Sequence, residues 1–254
     1  DLVGDRGPKD IRQRLLDAAP LMQGDLAARA DIAFRPFKAA ADYRQDVEGA
    51  APGWRVLEPL PLDGRMLGRW FDRLAWPSPE LMLFGKLMIT RAEEGELLKA
   101  DRSISAAWLG IKLMARYLRD RLFWKRGTRL VLGNALVARL LNAALQNGVS
   151  IHCGVSVCKL VCDENGNQIT GVKIANSNQI IKATKGVVLA GGGFPSSDSW
   201  RARELPEPVA QYSPAAPGCV GRSIELGIDV GGQLGRSGLD NVLWFPSSVA
   251  VRAD

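Results

Sequence analysis

Three consecutive glycines, Gly191, Gly192 and Gly193, follow the unbroken apolar run at residues 187–190. Glycine has no Cβ and adopts either sign of φ, so it lets a ligand approach the backbone closely. An apolar run without alternation is typical of a strand covered on both faces in a parallel sheet, and such sheets bind ligands beyond the carboxyl ends of their strands. The pattern predicts a ligand site at this glycine exit, residues 190–193, with a tight turn as the alternative.

Three tyrosines, Tyr43, Tyr117 and Tyr212, could transfer a proton through their phenol groups. Tyr117 falls on the apolar face of a predicted helix, where aromatic rings usually pack in the core. Tyr212 precedes a Ser-Pro pair that is typical of a turn. Tyr43 lies in a loop rich in proline and glycine, and the loop leaves both a structural and a functional role open.

The histidine and the cysteines form no recognisable metal or nucleophile motif. His152, the only histidine, falls in a predicted strand and is interpreted as structural. The four cysteines have no CxxC pair and no histidine at zinc-finger spacing. We therefore expect no metal site and interpret the cysteines as reduced residues of a cytoplasmic protein, with a reactive thiol as the alternative.

The elements that must position these residues are mainly helical in the first half. Apolar residues at helical spacing predict helices in three ranges: 9–30, 65–74 and 103–123. In the first range, Pro20 and Gly24 predict short helices with a break. Residues 42–64 contain too many prolines for a helix and predict an ordered loop or lid. Asn134 is the predicted N-cap of an amphipathic helix that ends at Gly148.

The second half changes to strand patterns. Short runs of β-forming residues predict strands over 150–153, 155–161, 168–174 and 179–183. Asn165-Gly166 favours the positive φ angles of a hairpin turn. The fold class is therefore predicted to be α/β, with a mainly helical N-terminal half, a small antiparallel β-meander and the strand that leads to the glycine exit.

The composition is that of an ordinary globular protein of 254 residues, 46% of them hydrophobic. Charged residues and glycines interrupt every long apolar stretch, so we expect no transmembrane segment. The net charge of +6 comes partly from a basic cluster: Arg116, Arg119, Arg121, Lys125, Arg126 and Arg129. We interpret the cluster as a solvated helical face and expect no nucleic-acid partner, with a binding patch as the alternative.

Five tryptophans of the helical half could line an apolar substrate cleft or fill the core. They are Trp54, Trp70, Trp76, Trp108 and Trp124.

The order of these parts resembles one family of flavoproteins. Residues 129–137, the meander and residues 188–194 resemble the second half of the FAD-binding domain in the family that joins 3-ketosteroid dehydrogenases to fumarate reductase and succinate dehydrogenase flavoproteins. Residues 55–65, 84–88 and 244–248 resemble the steroid dehydrogenase branch. The resemblance covers nearly the whole chain.

The resemblance implies an FAD cofactor in a Rossmann-like domain. The backbone of Val157 would contact the adenine, and Ala190, Gly191, Gly192 and Gly193 would pass beside the dinucleotide. These residues are the predicted cofactor-binding set.

The resemblance also implies a catalytic role for Tyr43, which follows Asp42 as in an Asp-Tyr-His-Pro-Glu segment of the steroid branch. Arg44, Gln45 and Asp46 depart from that segment. A further stretch, residues 218–232, resembles one that normally opens with Thr-Gly-Asp-Gly, although its acidic residue is missing here.

The implied function is a flavin-dependent dehydrogenase that transfers hydride from a small hydrophobic, steroid-like ketone to FAD. A fumarate-reductase-like flavoprotein and a non-catalytic interaction module are the alternatives. Residues 1–126 would form a helical insertion or substrate-side region, 127–198 part of the FAD-binding domain, and 199–254 the start of a further segment.

Both ends of the sequence are typical of an internal fragment, since there is no initiator methionine, no signal-peptide pattern and no GxGxxG phosphate-binding signature. We therefore expect the fragment alone to lack part of its FAD site and to be inactive. The pattern predicts neither the identity of the substrate nor the oligomeric state.

Overall fold

The computed structural model describes residues 8–79, 82–209 and 211–235. The chain divides into two compact units, Asp1–Ser150 and Ile151–Asp254. The predicted boundary between residues 126 and 127 therefore falls inside the first unit. Residues 244–248, which contribute to the family resemblance, lie outside the described residues.

The first unit is mainly helical, as predicted. Its elements are α1 (Lys9–Ala30), β1 (Phe34–Pro36), β2 (Leu57–Pro59), β3 (Leu62–Asp63), a 3-10 segment (Gly64–Arg73), α2 (Arg91–Leu97), α3 (Ile104–Arg121), β4 (Arg129–Leu130) and α4 (Leu132–Gln146). The short strands pair antiparallel, β1 with β2 and β3 with β4.

The first helix is longer than its sequence predicts. α1 runs for 22 residues with Pro20 inside it, so the prediction of short, broken helices is wrong. Pro20 removes one backbone donor and costs about 3 kcal/mol inside a helix, and Gly24 costs about 1 kcal/mol relative to alanine, yet α1 continues through both. The helix ends at Asp31, which adopts a left-handed conformation.

The predicted helix over 65–74 is a 3-10 segment, because Gly68 adopts φ 53° and ψ −128° and interrupts it. The predicted helix over 103–123 is α3, and the Ser103 side chain accepts a hydrogen bond from the amide of Ala106 at its N-terminus. Such a cap satisfies one of the free amide donors of the first turn.

The start of α4 corrects another prediction. Val131, not Asn134, precedes the helix, and the Asn134 side chain accepts a hydrogen bond from Arg126 at 2.8 Å. Asn134 is therefore engaged in a tertiary contact rather than a cap. Gly148 adopts φ 72° just beyond the helix end, as predicted.

The core of the first unit lies between the 3-10 segment and α4. Its buried members are Leu67, Phe71, Leu74, Leu130, Ala135 and Ala138. Trp70 and Trp124 pack against this cluster. Trp54, Trp76 and Trp108 are more than half exposed, so the five tryptophans divide between core and surface.

The basic cluster is only partly a solvated face. Arg126 is buried, donates to the carbonyl oxygens of Leu74 and Ala75, and lies over the ring of Phe71. Arg129 donates to Met88 O at 3.1 Å and to Glu93 at 2.7 Å. These two guanidinium groups join distant segments, because each can donate in several directions at once.

The second unit contains β5 (Val157–Cys162), β6 (Ile169–Ile174), β7 (Ile180–Lys182), α5 (Asp198–Glu204) and α6 (Arg222–Ile228). The three strands form the predicted antiparallel meander in the order β5-β6-β7. Gly166 adopts φ 71° in the turn between β5 and β6. Residues 150–153 form no strand, and His152 is exposed there, so that prediction is wrong.

Residues 187–190 are also not assigned to a strand in the described part of the chain. Val188 is 90% exposed, whereas the apolar pattern predicts cover on both faces. An apolar run reports a tendency to be buried, but a strand forms only where another strand pairs with it.

No helix in the described ranges is both long enough and apolar enough to cross a membrane.

Candidate cofactor site

The glycine exit presents exposed backbone. Ala190, Gly191 and Gly192 are exposed, and Gly193 is half-buried. Among the described residues, the amides of residues 187–193 donate no hydrogen bond. Exposed backbone amides can donate hydrogen bonds to phosphate oxygens.

Two of the three glycines are required by contacts within the chain. A methyl group on Gly191 would lie 2.6 Å from Ser223 Oγ, and one on Gly192, where φ is 84°, would lie 2.8 Å from Cys219 Sγ. Real Cβ atoms essentially never show contacts this short. The missing side chains therefore let the first turn of α6 and the loop before it approach, while the amides on the exit remain accessible.

Backbone hydrogen bonds attach this loop to the exit. Gly221 N donates to Gly193 O at 2.7 Å, and Ser196 N donates to Cys219 O at 2.9 Å. The exit is therefore fixed on the side that faces α6.

A buried tryptophan supports the same region from α5. Trp200 is 5% exposed, and its ring stacks on Phe194 with centroids 5.6 Å apart. Gly221 lies against the ring, since a methyl group there would come within 2.6 Å of Trp200 Nε1. The Arg203 guanidinium covers the ring at 3.8 Å from the centroid.

A charged pair on α6 connects Trp200 to the meander. Trp200 Nε1 donates to Glu225 Oε1 at 3.2 Å, and Arg222 Nη1 donates to Glu225 Oε2 at 2.9 Å. Arg222 Nη2 donates in turn to the carbonyl oxygen of Cys158 at 2.7 Å. Hydrogen bonds from Arg222 and Trp200 hold the pKa of the Glu225 carboxyl below its usual value.

Val157 begins β5 beside that carbonyl. It pairs with Ile174 of β6 and is half-buried. The structure thus brings the neighbourhood of Val157 and the glycine exit into one network through α6. Sequence reasoning did not predict the contacts of Trp200 with Glu225 and of Arg222 with Cys158, because partners 25 and 64 positions apart leave no local pattern.

Tyr43 lies in the first unit, on a loop ordered by Asp42. The Asp42 carboxylate accepts from the amide of Ala51 at 2.9 Å and pairs with Arg55 at 3.4 Å. Tyr43 itself is 91% exposed, and no hydrogen bond of its phenol is present within the described ranges. The loop holds its backbone in place and leaves the phenol accessible.

A separate surface cleft in the first unit combines apolar and cationic groups. Its walls include Trp76, Leu87, Tyr117, Arg116 and Arg126. Burial lowers the pKa of Arg126, and the Nε of Arg116 is buried without a hydrogen-bond partner in the described structure. Tyr43 does not line this cleft. Over the described residues, no cluster of histidine, cysteine or carboxylate side chains could hold a metal ion.

Comparison with known proteins identifies the family. The FAD binding domain family matches residues 3–254. The chain belongs to this family.

Relatives of this chain include dehydrogenases whose names contain an oxo group. It is 32% identical over 184 residues to a 3-oxosteroid 1-dehydrogenase of Comamonas testosteroni. The aligned region covers 70% of this chain and 32% of that protein. It is 24% identical to a 4-oxocyclohex-2-ene-1-carboxylate 5-dehydrogenase of Sinomonas cyclohexanicum, over 98% of this chain and 42% of that protein. The chain thus spans well under half the length of these relatives.

A solved structure has a similar fold. The 3-ketosteroid Δ1-dehydrogenase of Sterolibacterium denitrificans, in complex with 1,4-androstadiene-3,17-dione, superposes with a TM-score of 0.75 at 29% identity. The match covers 86% of this chain and 40% of that one. The described fold, with its helices and small antiparallel sheets, is therefore that of an FAD-binding domain.

The residues of the glycine exit fit an FAD dinucleotide. Their donors are uncharged backbone amides on an exposed surface, and glycine adds no side chain that would obstruct a ligand. This fit agrees with the family to which the chain belongs.

Proposed function

We propose that the protein is an FAD-dependent dehydrogenase that desaturates a small hydrophobic ring ketone, and that these residues supply part of its FAD-binding domain. The observation that carries the proposal is the exposed glycine exit, whose amides donate to no other described residue, in a chain of the FAD binding domain family. The relatives' names share a ring ketone, either an oxosteroid or an oxocyclohexene carboxylate.

In the proposed reaction, two hydrogens leave adjacent carbons next to the ketone. FAD, when bound, supplies the acceptor for the hydride. The amides of residues 190–193 would hold the dinucleotide, and the backbone of Val157 would contact its adenine. The Tyr43 phenol would transfer the proton, since a phenol can act as an acid or, when ionised, as a base.

The domain organisation is part of the same proposal. Residues 1–126 would form a mainly helical insertion or substrate-side region, and 127–198 would form part of a Rossmann-like FAD-binding domain. Residues 199–254 would begin a further segment. A cytoplasmic location and the absence of a nucleic-acid partner also remain predictions.

The test uses the protein purified at the length that its gene encodes. We expect a flavin absorbance band that bleaches without oxygen when a 3-ketosteroid or 4-oxocyclohexanecarboxylate is added. A protein that neither retains nor takes up FAD would contradict the proposal.

Tyr43→Phe tests the proton-transfer role. We expect kcat to fall by at least about 100-fold, because general acid–base groups contribute that much, while the FAD content stays unchanged. Tyr212→Phe is the matched control, since Tyr212 is also an exposed tyrosine, and it should keep full activity. Equal activity of the two variants would remove Tyr43 from the mechanism.

A further inference from the structure

We propose that Trp200, Arg222 and Glu225 are positioning residues that fix the Val157 strand and the glycine exit relative to each other, and thereby set the affinity for the adenosine half of FAD. The inference rests on the proposed FAD site. None of the three residues needs to touch the cofactor: Arg222 holds the backbone next to Val157, Trp200 supports the residue after the exit, and Glu225 joins these two side chains.

The first step is the contact of Arg222 with the strand. Its Nη2 donates at 2.7 Å to the carbonyl oxygen of Cys158, the residue after Val157. The same guanidinium uses Nη1 for Glu225 at 2.9 Å. A guanidinium has a rigid set of donors, so it can hold the two partners at a fixed separation, which a lysine ammonium cannot.

The second step is the geometry of Glu225. Its Oε1 accepts from Trp200 and its Oε2 from Arg222, so both oxygens face donors. Glutamine would present one oxygen and one NH₂ group, and the NH₂ group would face a donor. Glu225→Gln therefore loses one of the two hydrogen bonds without a change in size.

The third step leads from Trp200 to the exit. Its buried ring stacks on Phe194, which follows Gly193 directly, and Gly221 packs against the ring edge. The Gly221 amide then donates to the Gly193 carbonyl at 2.7 Å. The end of the exit is therefore held by Trp200, which Glu225 and Arg222 connect to β5.

The experiment measures the affinities of the apoprotein at its gene-encoded length for FAD and for FMN, which lacks the adenosine half. We expect Glu225→Gln to weaken FAD binding about tenfold, which corresponds to the loss of one well-formed hydrogen bond, and to change FMN binding by less than about twofold. Trp200→Phe keeps an aromatic ring but loses the Nε1 donor, and we expect the same FAD-specific loss.

Asp198→Asn is the matched control. Asp198 pairs with Arg201 at 3.7 Å with the same i,i+3 spacing as Arg222 and Glu225, and it lies in the same unit. Its removal changes the charge equally and should leave both affinities unchanged.

Equal losses of FAD and FMN affinity, or no loss, would overturn the positioning role, because a general loss of structure does not distinguish the two ligands. If Glu225→Gln does not fold, Trp200→Phe decides in the same way. A wild-type protein that binds no FAD would instead overturn the proposed function.

Discussion

At the scale of single residues, the first unit is stabilised by polar groups buried with their partners. Asp120 Oδ2 accepts from the amide of Thr128 at 2.9 Å and from its hydroxyl at 2.8 Å. Both residues are almost fully buried. A carboxylate near the C-terminus of α3 is unfavourable for the helix dipole, so these donors compensate for its position.

Thr128→Val keeps the shape of the side chain but removes the hydroxyl donor. We expect the free energy of unfolding to fall by about 1–3 kcal/mol, because the buried carboxylate then loses one of its two hydrogen bonds from Thr128. Urea denaturation measures the change. Thr184→Val replaces an exposed threonine and should change the free energy by less than about 0.5 kcal/mol. Equal effects of the two substitutions would contradict this role of Thr128.

At the scale of elements, the meander depends on close approach between β6 and β7. Gly171 faces Lys182 in the ladder, and a methyl group on it would collide with the backbone carbonyl of Ile181. Backbone cannot move aside as a flexible side chain can. The glycine therefore sets the spacing of the two strands.

Gly171→Ala should lower the free energy of unfolding by about 1–3 kcal/mol, as overpacking usually does. Gly24→Ala is the opposite control, since Gly24 lies inside α1 with open space around its Cα. It should raise the free energy by up to about 1 kcal/mol through helix propensity. The prediction fails if thermal denaturation gives the same sign for both variants.

The elements that the sequence predicts correctly are those defined by local patterns. The meander follows from short strands and the Asn165-Gly166 turn, and α3 follows from its apolar spacing and Ser103. The predicted start of α4 is wrong because the Asn134 side chain accepts a hydrogen bond from Arg126 instead of capping the helix. That contact depends on how another segment packs. The sequence also fails to predict that α1 continues through Pro20, because one proline does not decide where a helix of 22 residues ends.

The sequence predicts where the candidate site lies, but not which residues pack against it and hold it in place. Three glycines after an apolar run indicate where a ligand would bind. They do not indicate that Ser223 and Cys219 occupy the space of two missing side chains. The roles of Val157, residues 190–193 and Tyr43 remain predictions from the resemblance.

At the scale of the whole molecule, the free energy of unfolding should decrease when the pH becomes acidic. The pKa of Asp63 is lowered overall: burial raises it, but the hydrogen bonds and charge of Arg65 and the charge of Arg116 outweigh burial. Hydrogen bonds from Arg222 and Trp200 lower the pKa of Glu225, and Arg44 lowers that of Asp46. In each case the unfolded chain binds protons more readily than the folded one.

These carboxylates therefore add stability above their unfolded pKa values of about 4, and the contribution is lost as the pH falls through their lower folded values. We expect the urea midpoint to be level near neutral pH and to fall below about pH 4. The double variant Asp63→Asn, Glu225→Gln should reduce this fall. An equally steep acid dependence in the variant would assign it to other groups.

The contact between Arg222 and Cys158 spans 64 positions of the chain. The meander joins neighbours in sequence, so it can form as soon as β7 has been synthesised, whereas a contact of this span must wait for α6. The strand near Val157 would then exist before anything fixes the glycine exit to it. We expect the second unit to acquire its sheet early and its ligand-binding geometry last, in the order in which the ribosome releases the chain.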